Sequence, residues 1–428
     1  MALFKSMKAL LEEKNLGDGF SKVYLQSQYN EQYERFLDVL SDFGEYFDKN
    51  EEREVSLFSA PGRSEVCGNH TDHNHGRVLA AGISLDAIAV ASKNDTGVVS
   101  IKSKGYPMDV ISCDALSVDE SNFGKSSELI KGILSRFKQL GYNIGGFDAA
   151  TASKVLSGSG LSSSAAFEVL VCTILNHLYN DGKIDPVEIA QISQYAENVY
   201  FGKTCGLLDQ TACSVGGFVT IDFNDPSKPI IKKVNFDFAS CGHSLCIVDT
   251  KGDHSDLTDE YAAVRAEMEA VAAFFGKKVL RELDKQTVIE NAADIRAAVS
   301  DRAVLRAIHF FNDDERVVKE VEALESGDFA LFKKLTIESG RSSYMYNQNV
   351  YACSSPLSQP LSLALAVSEE LLKGKGAWRV HGGGFAGTIQ AFVPNEMLDE
   401  YKNTMNSIFG SDACHVLSIR PMGGAKLD

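Results

Sequence analysis

Residues 155–169 read VLSGSGLSSSAAFEV, and the rest of the chain can be organised around them. Gly158 and Gly160 flank one serine, three more serines follow Leu161, and Ala165 begins an apolar, helix-like run. Glycines let a backbone come close to a ligand, and successive loop N–H groups can converge on an anion. A helix N-terminus behind such a loop adds partial positive charge. Gly158, Ser159, Gly160, Leu161, Ser162, Ser163 and Ser164 therefore read as a phosphate cradle, with serine hydroxyls suited to phosphate oxygens or Mg²⁺. The competing reading is a Ser/Gly linker, but linkers stay polar and this stretch runs directly into AAFEVLVCTIL. No Lys-Ser/Thr pair follows the last glycine and GxGxxG is absent, so neither a Walker loop nor a dinucleotide fingerprint fits.

The chain has 428 residues, enough for two or three domains. A composition of 44% apolar and 23% charged residues is that of a globular protein. The net charge of −16 argues against a nucleic-acid partner. No apolar run is long enough to cross a membrane. Nine scattered cysteines without a CxxC pair read as reduced thiols, and so as a cytoplasmic protein. A monomer is expected, with a dimer as the alternative.

Outward from the Gly/Ser stretch, 147–153 reads as a strand leading in, and the helix behind the loop extends to about Tyr179. Upstream, 29–50 carries an apolar stripe at helical spacing, and 55–60 reads as a strand ended by the turn signal Pro61-Gly62. Next comes GRSEVCGNHTDHNHG at 62–76, with Arg63, Glu65, Asn69, His70, Asp72, His73 and His75 between glycines. Such polar density in a loop suggests a binding site. Its histidines and Asp72 could ligate a metal or could serve a polyhydroxylated ligand. Strands are expected at 79–92 and 97–103, and a helix at 127–140. Downstream, Asp185-Pro186 reads as a helix cap followed by proline at the first helical position, and that helix carries Glu197 near its end. In CGLLDQ, Asp209 stands among apolar residues, either as a cap or as a functional carboxylate. Helices are expected at 258–275, with Thr258 as cap and Tyr261 in the first turn, at 301–325 and at 357–373. In VHGGGFAGTIQAFV, at 380–393, a glycine cluster precedes a strand, as a turn or as a segment approaching a ligand.

These stretches together resemble the GHMP small-molecule kinases, and among them the galactokinases. The family's first signature is close to GRxNxxGEHTDYN, and here it reads GRSEVCGNHTDHN. Its second is close to PxGxGLSSSA, here LSGSGLSSSA with Leu156 in place of proline, and its third is close to GGGFGG, here GGGFAG. AENVYFGKTCGLLDQ and RAIHFFNDDERV are similar to two further family segments, and the resemblance spans roughly 55–395. It implies an α+β fold of two domains with the site in the cleft between them: an N-terminal helical extension at 1–54, one kinase domain at 55–222 and a second at 223–428. It implies an ATP-dependent sugar 1-kinase with galactose as first choice and ATP and Mg²⁺ as cofactors. Asp209 would face the anomeric hydroxyl and Arg63 would orient it. Ser164 and Glu197 would hold Mg²⁺, residues 158–164 would cradle the ATP phosphates, and Asn69, His70, Asp72, Gly206 and Tyr261 would line the sugar pocket.

The departures bear on the sugar. Glu65 stands where the family has Asn, Asn69 where it has Glu, and His73 where it has Tyr. By resemblance the family's Glu touches the sugar's C6 hydroxyl, and an amide there would tolerate a carboxylate. Galacturonate or an N-acetylated hexosamine therefore stays open beside galactose, as does an exchange of roles between Glu65 and Asn69. A non-catalytic sugar sensor of the same family is a further alternative, against which the intact Ser164-Ala165 speaks.

Overall fold

The computed structural model describes residues 1–155, 160–252 and 257–428. Its strands are β1 (Ala2–Leu3), β2 (Glu54–Cys67), β3 (Arg77–Lys93), β4 (Val98–Ser103), β5 (Met108–Ser112), β6 (Phe147–Ser153), β7 (Phe218–Asp222), β8 (Ile230–Val234), β9 (His243–Asp249), β10 (Ala377–Val380), β11 (Thr388–Pro394), β12 (Cys414–Leu417) and β13 (Ala425–Lys426). Among the described residues they form two sheets. The larger runs β1-β2-β3-β6-β4-β5, with β13 on β2 and β7 joining β3 to β8; the smaller runs β10-β11-β9-β12. All pairs are antiparallel except β4 with β6. With its helices, this is an α+β fold.

The central strands β2 and β3 of the larger sheet are buried on both faces, which explains their near-continuous apolar sequences. Phe58, Ala60, Ala87, Ala89 and Ala91 face the helices Ser126–Gln139 and Ser163–Tyr179. Their alternate neighbours Val55, Leu57, Ile88 and Val90 face the N-terminal helices Phe4–Glu12 and Tyr29–Phe47. The N-terminal segment is thus the cover of a sheet face, and Phe36, Leu40 and Phe43 of its long helix form the buried stripe. A buried cluster on Asp86 fastens it: Arg35 reaches Oδ1 at 2.7 Å, Ser59 and Tyr24 donate to Oδ2, and Arg420 from the C-terminal segment adds a contact at 3.2 Å. The smaller sheet packs the helices Pro360–Leu372 and Leu398–Phe409 on one face. On the other, Leu245, Ile247, Phe392 and Leu417 join the main core.

Pro61-Gly62 does not end the strand. β2 continues to Cys67, and the pair marks a register shift between Pro61 and Arg63. A Cβ on Gly62 would lie 2.8 Å from the Leu161 carbonyl oxygen, so glycine is what lets β2 approach the Gly/Ser stretch. The result is that Arg63 and Glu65 sit on a strand and not on a loop. Thr258 is likewise not a cap: the helix Thr258–Phe274 has Leu257 at that position, without a side-chain bond. Asp185 does cap its helix, accepting from Val187 N at 2.8 Å.

Candidate active site

A pocket of about 200 Å³ opens where the larger sheet meets the glycine cluster before β11. Arg63, Glu65, Asn69, His70, Asp72, His73, Cys205, Gly206, Leu208, Asp209, Gly382 and Gly383 line it. Most of the residues expected to contact a sugar are therefore brought together from separate stretches of the chain. Tyr261 is not among the lining residues. Its hydroxyl donates to Gly384 O at 2.9 Å, its ring packs edge-on against Phe385, and it lies against Gly383, which does line the pocket: a Cβ on that glycine would be 2.6 Å from the ring.

Asp209 lies in the first turn of the helix Leu208–Val215, where the N–H groups and the dipole favour a carboxylate. It does not cap that helix. Arg63 grips it with two parallel bonds, Nε to Oδ1 at 2.7 Å and Nη2 to Oδ2 at 2.8 Å, the geometry for which a guanidinium is suited. Ser162 Oγ also donates to Oδ2, and Arg63 Nη1 donates to the Gly160 carbonyl. The Gly/Ser stretch and the carboxylate are thus tied together through one arginine and one serine. Burial acts to raise the Asp209 pKa, but Arg63 and Ser162 outweigh it and hold the carboxyl below its usual value.

Gly158 and Ser159 lie outside the described residues. Gly160 has φ +72°, a conformation that disfavours a side chain, although a Cβ there would be no nearer than 3.5 Å to His381. Toward the rest of the protein, the constraint at Gly160 is therefore conformational. Leu161 is buried in the main core, which pins the loop, and its carbonyl accepts from Arg63 N at 3.2 Å. Ser163 and Ser164 open the helix Ser163–Tyr179 and border a second cavity of about 690 Å³, whose lining includes Tyr106, Leu129, Phe167 and Phe201.

Ser164 Oγ stands 3.4 Å from Glu197 Oε1. Behind them, Gln210 Nε2 donates to Glu197 Oε2 at 2.7 Å and to Glu168 Oε2 at 3.3 Å, while Glu168 Oε1 is buried with no partner. Burial, with Glu197 nearby, pushes the Glu168 pKa up. Lys203 Nζ also pairs with Glu197 Oε1 at 3.0 Å from an exposed position, so it can give way; a serine hydroxyl and a carboxylate are the oxygen donors that a hard divalent cation takes, so the residues expected to hold Mg²⁺ fit it.

In the 62–76 stretch, the ligand reading is favoured over the metal reading. Among the described residues no three or more of His, Cys, Asp and Glu are gathered so as to hold a metal. His70 Nε2 lies 2.8 Å from the Gly383 carbonyl, which only accepts, so that nitrogen carries the proton; Nδ1 faces His73 at 3.2 Å. Burial, then His73, lowers the His70 pKa to about 4, so the ring is neutral. Gly206 lies against Asp72, and a Cβ at that glycine would meet Asp72 Oδ2 at 3.4 Å.

Several participants escape sequence reasoning. Arg379, wholly buried, donates to Glu65 Oε1 at 3.1 Å and to Val66 O at 2.6 Å. Asn349 supports Asn69 at 2.7 Å. His381, with its pKa driven down to about 3 by burial and by Arg63, stands 3.1 Å from Ser64 Oγ. Glu168 carries the one usable signal, a lone acid inside AAFEVLVCTIL.

Comparison with known proteins gives the family. The family description "GHMP kinases N terminal domain" matches residues 128–217, and "Galactokinase galactose-binding signature" matches 41–93. The fold is similar to that of Lactococcus lactis galactokinase complexed with galactose, at TM-score 0.75 and 23% identity, covering 90% of this chain and 98% of that one. A mevalonate kinase structure aligns at TM-score 0.61 and 15% identity, covering 85% and 99%. The fold is thus that of the GHMP kinases. Among sequence relatives, the galactokinase of Streptomyces coelicolor is 32% identical over 380 residues, 86% of this chain and 93% of that protein. The galactokinase of Glaesserella parasuis is 31% identical over 353 residues, 79% and 85%. The chain belongs to the galactokinase family.

Proposed function

We propose that the protein is an ATP-dependent sugar 1-kinase that transfers the γ-phosphoryl group of ATP to the anomeric hydroxyl of galactose. The observation that carries this reading is the tie between Asp209, Arg63 and the Gly/Ser stretch, beside a polar pocket of about 200 Å³, in a chain of the galactokinase family. The site falls between a unit at 55–222 and one at 223–428, with 1–54 as an extension; lining residues from both units, such as Arg63 and Gly383, support that division.

Phosphoryl transfer proceeds through a loose transition state, so positioning and charge neutralisation supply most of the catalysis. Asp209 orients the acceptor hydroxyl. Held below its usual pKa by Arg63, it is a weak base that takes the proton late, as the new P–O bond forms. Arg63 fixes the carboxylate and, through Gly160, the distance between acceptor and phosphate loop. The second cavity, beside Ser163 and Ser164, accommodates the nucleoside of ATP. Mg²⁺ held at Ser164 and Glu197 would neutralise phosphate charge. Asp72, His70 and Gly206 frame the sugar.

The test is ATP consumption by the purified protein against galactose, galacturonate, N-acetylgalactosamine, glucose and mevalonate. Turnover with galactose is expected. Binding without turnover would make the protein a sensor, and turnover with mevalonate alone would overturn the sugar reading.

A further inference from the structure

Glu65 stands two residues along β2 from Arg63, and both side chains reach the pocket. Neighbours of this kind on a strand lie about 6.6 Å apart. With Asp209 gripped by Arg63, Glu65 therefore meets a bound sugar away from the hydroxyl that reacts. Its Oε1 receives the Asn69 amide at 3.0 Å and Arg379 at 3.1 Å. Its Oε2 accepts from no group among the described residues.

Asn69 is not available for this contact. Its Nδ2 gives one hydrogen to Glu65 and the other to the Gly382 carbonyl at 2.7 Å. Its Oδ1 receives Asn349 at 2.7 Å and Ser343 at 3.3 Å. Every hydrogen-bonding position of that amide is taken and the side chain is fully buried. Asn69 is a buttress that holds Glu65, which corrects the expectation of an amide presented to the sugar.

The charges facing the pocket point the same way. Glu65, Asp72 and Asp209 bring three carboxyl groups; burial raises the Glu65 pKa, and Arg379 and the Asn69 amide act against that rise. Arg63 is spent on Asp209 and Gly160, Arg379 is sealed behind Glu65, and His70 is neutral. An anionic substituent beside Glu65 would meet like charge where water screens poorly.

We propose that Glu65 is a specificity-determining residue: its Oε2 accepts a hydrogen bond from a sugar hydroxyl remote from the transfer position, and its charge excludes hexuronic acids. The substrate is then a neutral hexose. This rests on the sugar-kinase reading above and adds to it the identity of the discriminating group.

The experiment compares galactose, galacturonate and the 2-, 3-, 4- and 6-deoxygalactoses in wild type and Glu65→Gln, by initial rates with ATP and by calorimetric binding. Wild type should favour galactose over galacturonate by about 100-fold or more. One deoxy sugar should lose about 10- to 100-fold in kcat/KM, mostly through KM, as expected for a hydrogen bond to a charged group. In Glu65→Gln that loss and the uronate penalty should both shrink. Equal use of galactose and galacturonate by wild type would overturn the proposal, as would identical discrimination by the variant. If Glu65→Gln fails to fold beside Arg379, Glu65→Asp keeps the charge and retracts it, and should weaken the deoxy-sugar loss while keeping the uronate penalty. Turnover of galactose with unchanged discrimination sinks only the Glu65 assignment. No turnover of any sugar sinks the kinase reading, and the binding data on the same panel still decide the role of Glu65.

Discussion

The wall behind the sugar pocket and the wall behind Ser164 are both built from buried polar side chains, but they are balanced differently. Behind the pocket, Asn69 has all its amide positions bonded, and Arg379 makes bonds to Val66, Val380 and Glu65. Behind Ser164, one Gln210 nitrogen serves two carboxylates, and Glu168 Oε1, Gln210 Oε1 and Thr211 Oγ1 are buried without partners. Buried polar atoms are normally satisfied, and leaving them unpaired is costly. The contrast assigns two tasks. On the sugar side the groups that touch Glu65 are set before any ligand arrives, and the atoms without partners among the described residues, such as Asn349 Oδ1, lie one layer further back. On the Ser164 side Lys203 pairs with Glu197 Oε1 at 3.0 Å, and a divalent cation at Ser164 and Glu197 would take that exposed lysine's place.

The largest expected effect falls where the two walls meet. Asp209→Asn keeps the shape but removes the proton acceptor and the partner of Arg63. It should lower kcat by about 10²- to 10⁴-fold, with galactose binding retained by calorimetry. Near-normal turnover would remove Asp209 from the chemistry.

The next test addresses the unbalanced wall. Gln210→Leu removes the donor that Glu168 and Glu197 share. Outer groups of this kind typically change metal affinity by about 10- to 100-fold. Titration with Mg²⁺, read by activity and by direct binding of Mn²⁺, should show that loss, with the KM for galactose little changed. An unaltered cation requirement would show that the shared donor does not serve the metal.

An imbalance also exists behind the sugar wall, and it should appear as stability alone. Glu320 is buried with no oxygen or nitrogen donor on its carboxyl among the described residues, only the Cys67 thiol beside it, and burial raises its pKa to about 8. An unfolded glutamate titrates near about 4.3. Between those values the native state holds a proton that the unfolded state has lost, so this residue lowers stability as pH rises through the window. Glu320→Gln should therefore melt higher than wild type at pH 8, by several degrees, with the gap closing toward pH 5. A gap that does not change with pH would contradict the sign.

Gly160→Ala should be milder, since among the described protein atoms nothing closer than 3.5 Å opposes it and the positive φ does. A cost of about 1–2 kcal/mol is expected, visible as a weaker KM for ATP and not for galactose.

Much of the fold and site is legible in the sequence, for reasons that differ by element. The helix Asp301–Glu325 and the stripe of Tyr29–Phe47 bury one side only, so their periodicity shows. β2 and β3 are buried on both faces, so alternation is hidden, and Pro61-Gly62 punctuates a strand that in fact continues. Arg63, Asp209 and the serines are readable because their chemistry stands out in short stretches. The Glu65–Asn69 relation is not, because it is settled by Arg379, Asn349 and Gly382, which lie in the last fifth of the chain. Resemblance places Tyr261 in the pocket, and its hydroxyl bond holds it against the glycine cluster that borders that pocket.

The central claim is that Asp209 and Arg63 direct phosphate to the anomeric oxygen of galactose. The most direct measurement is ³¹P and ¹H NMR of the product formed from ATP and galactose. The account predicts a phosphorus coupled to the anomeric proton, produced by wild type and lost with Asp209→Asn. Phosphate on any other hydroxyl, or an anomeric phosphate still made at the wild-type rate by Asp209→Asn, would contradict it.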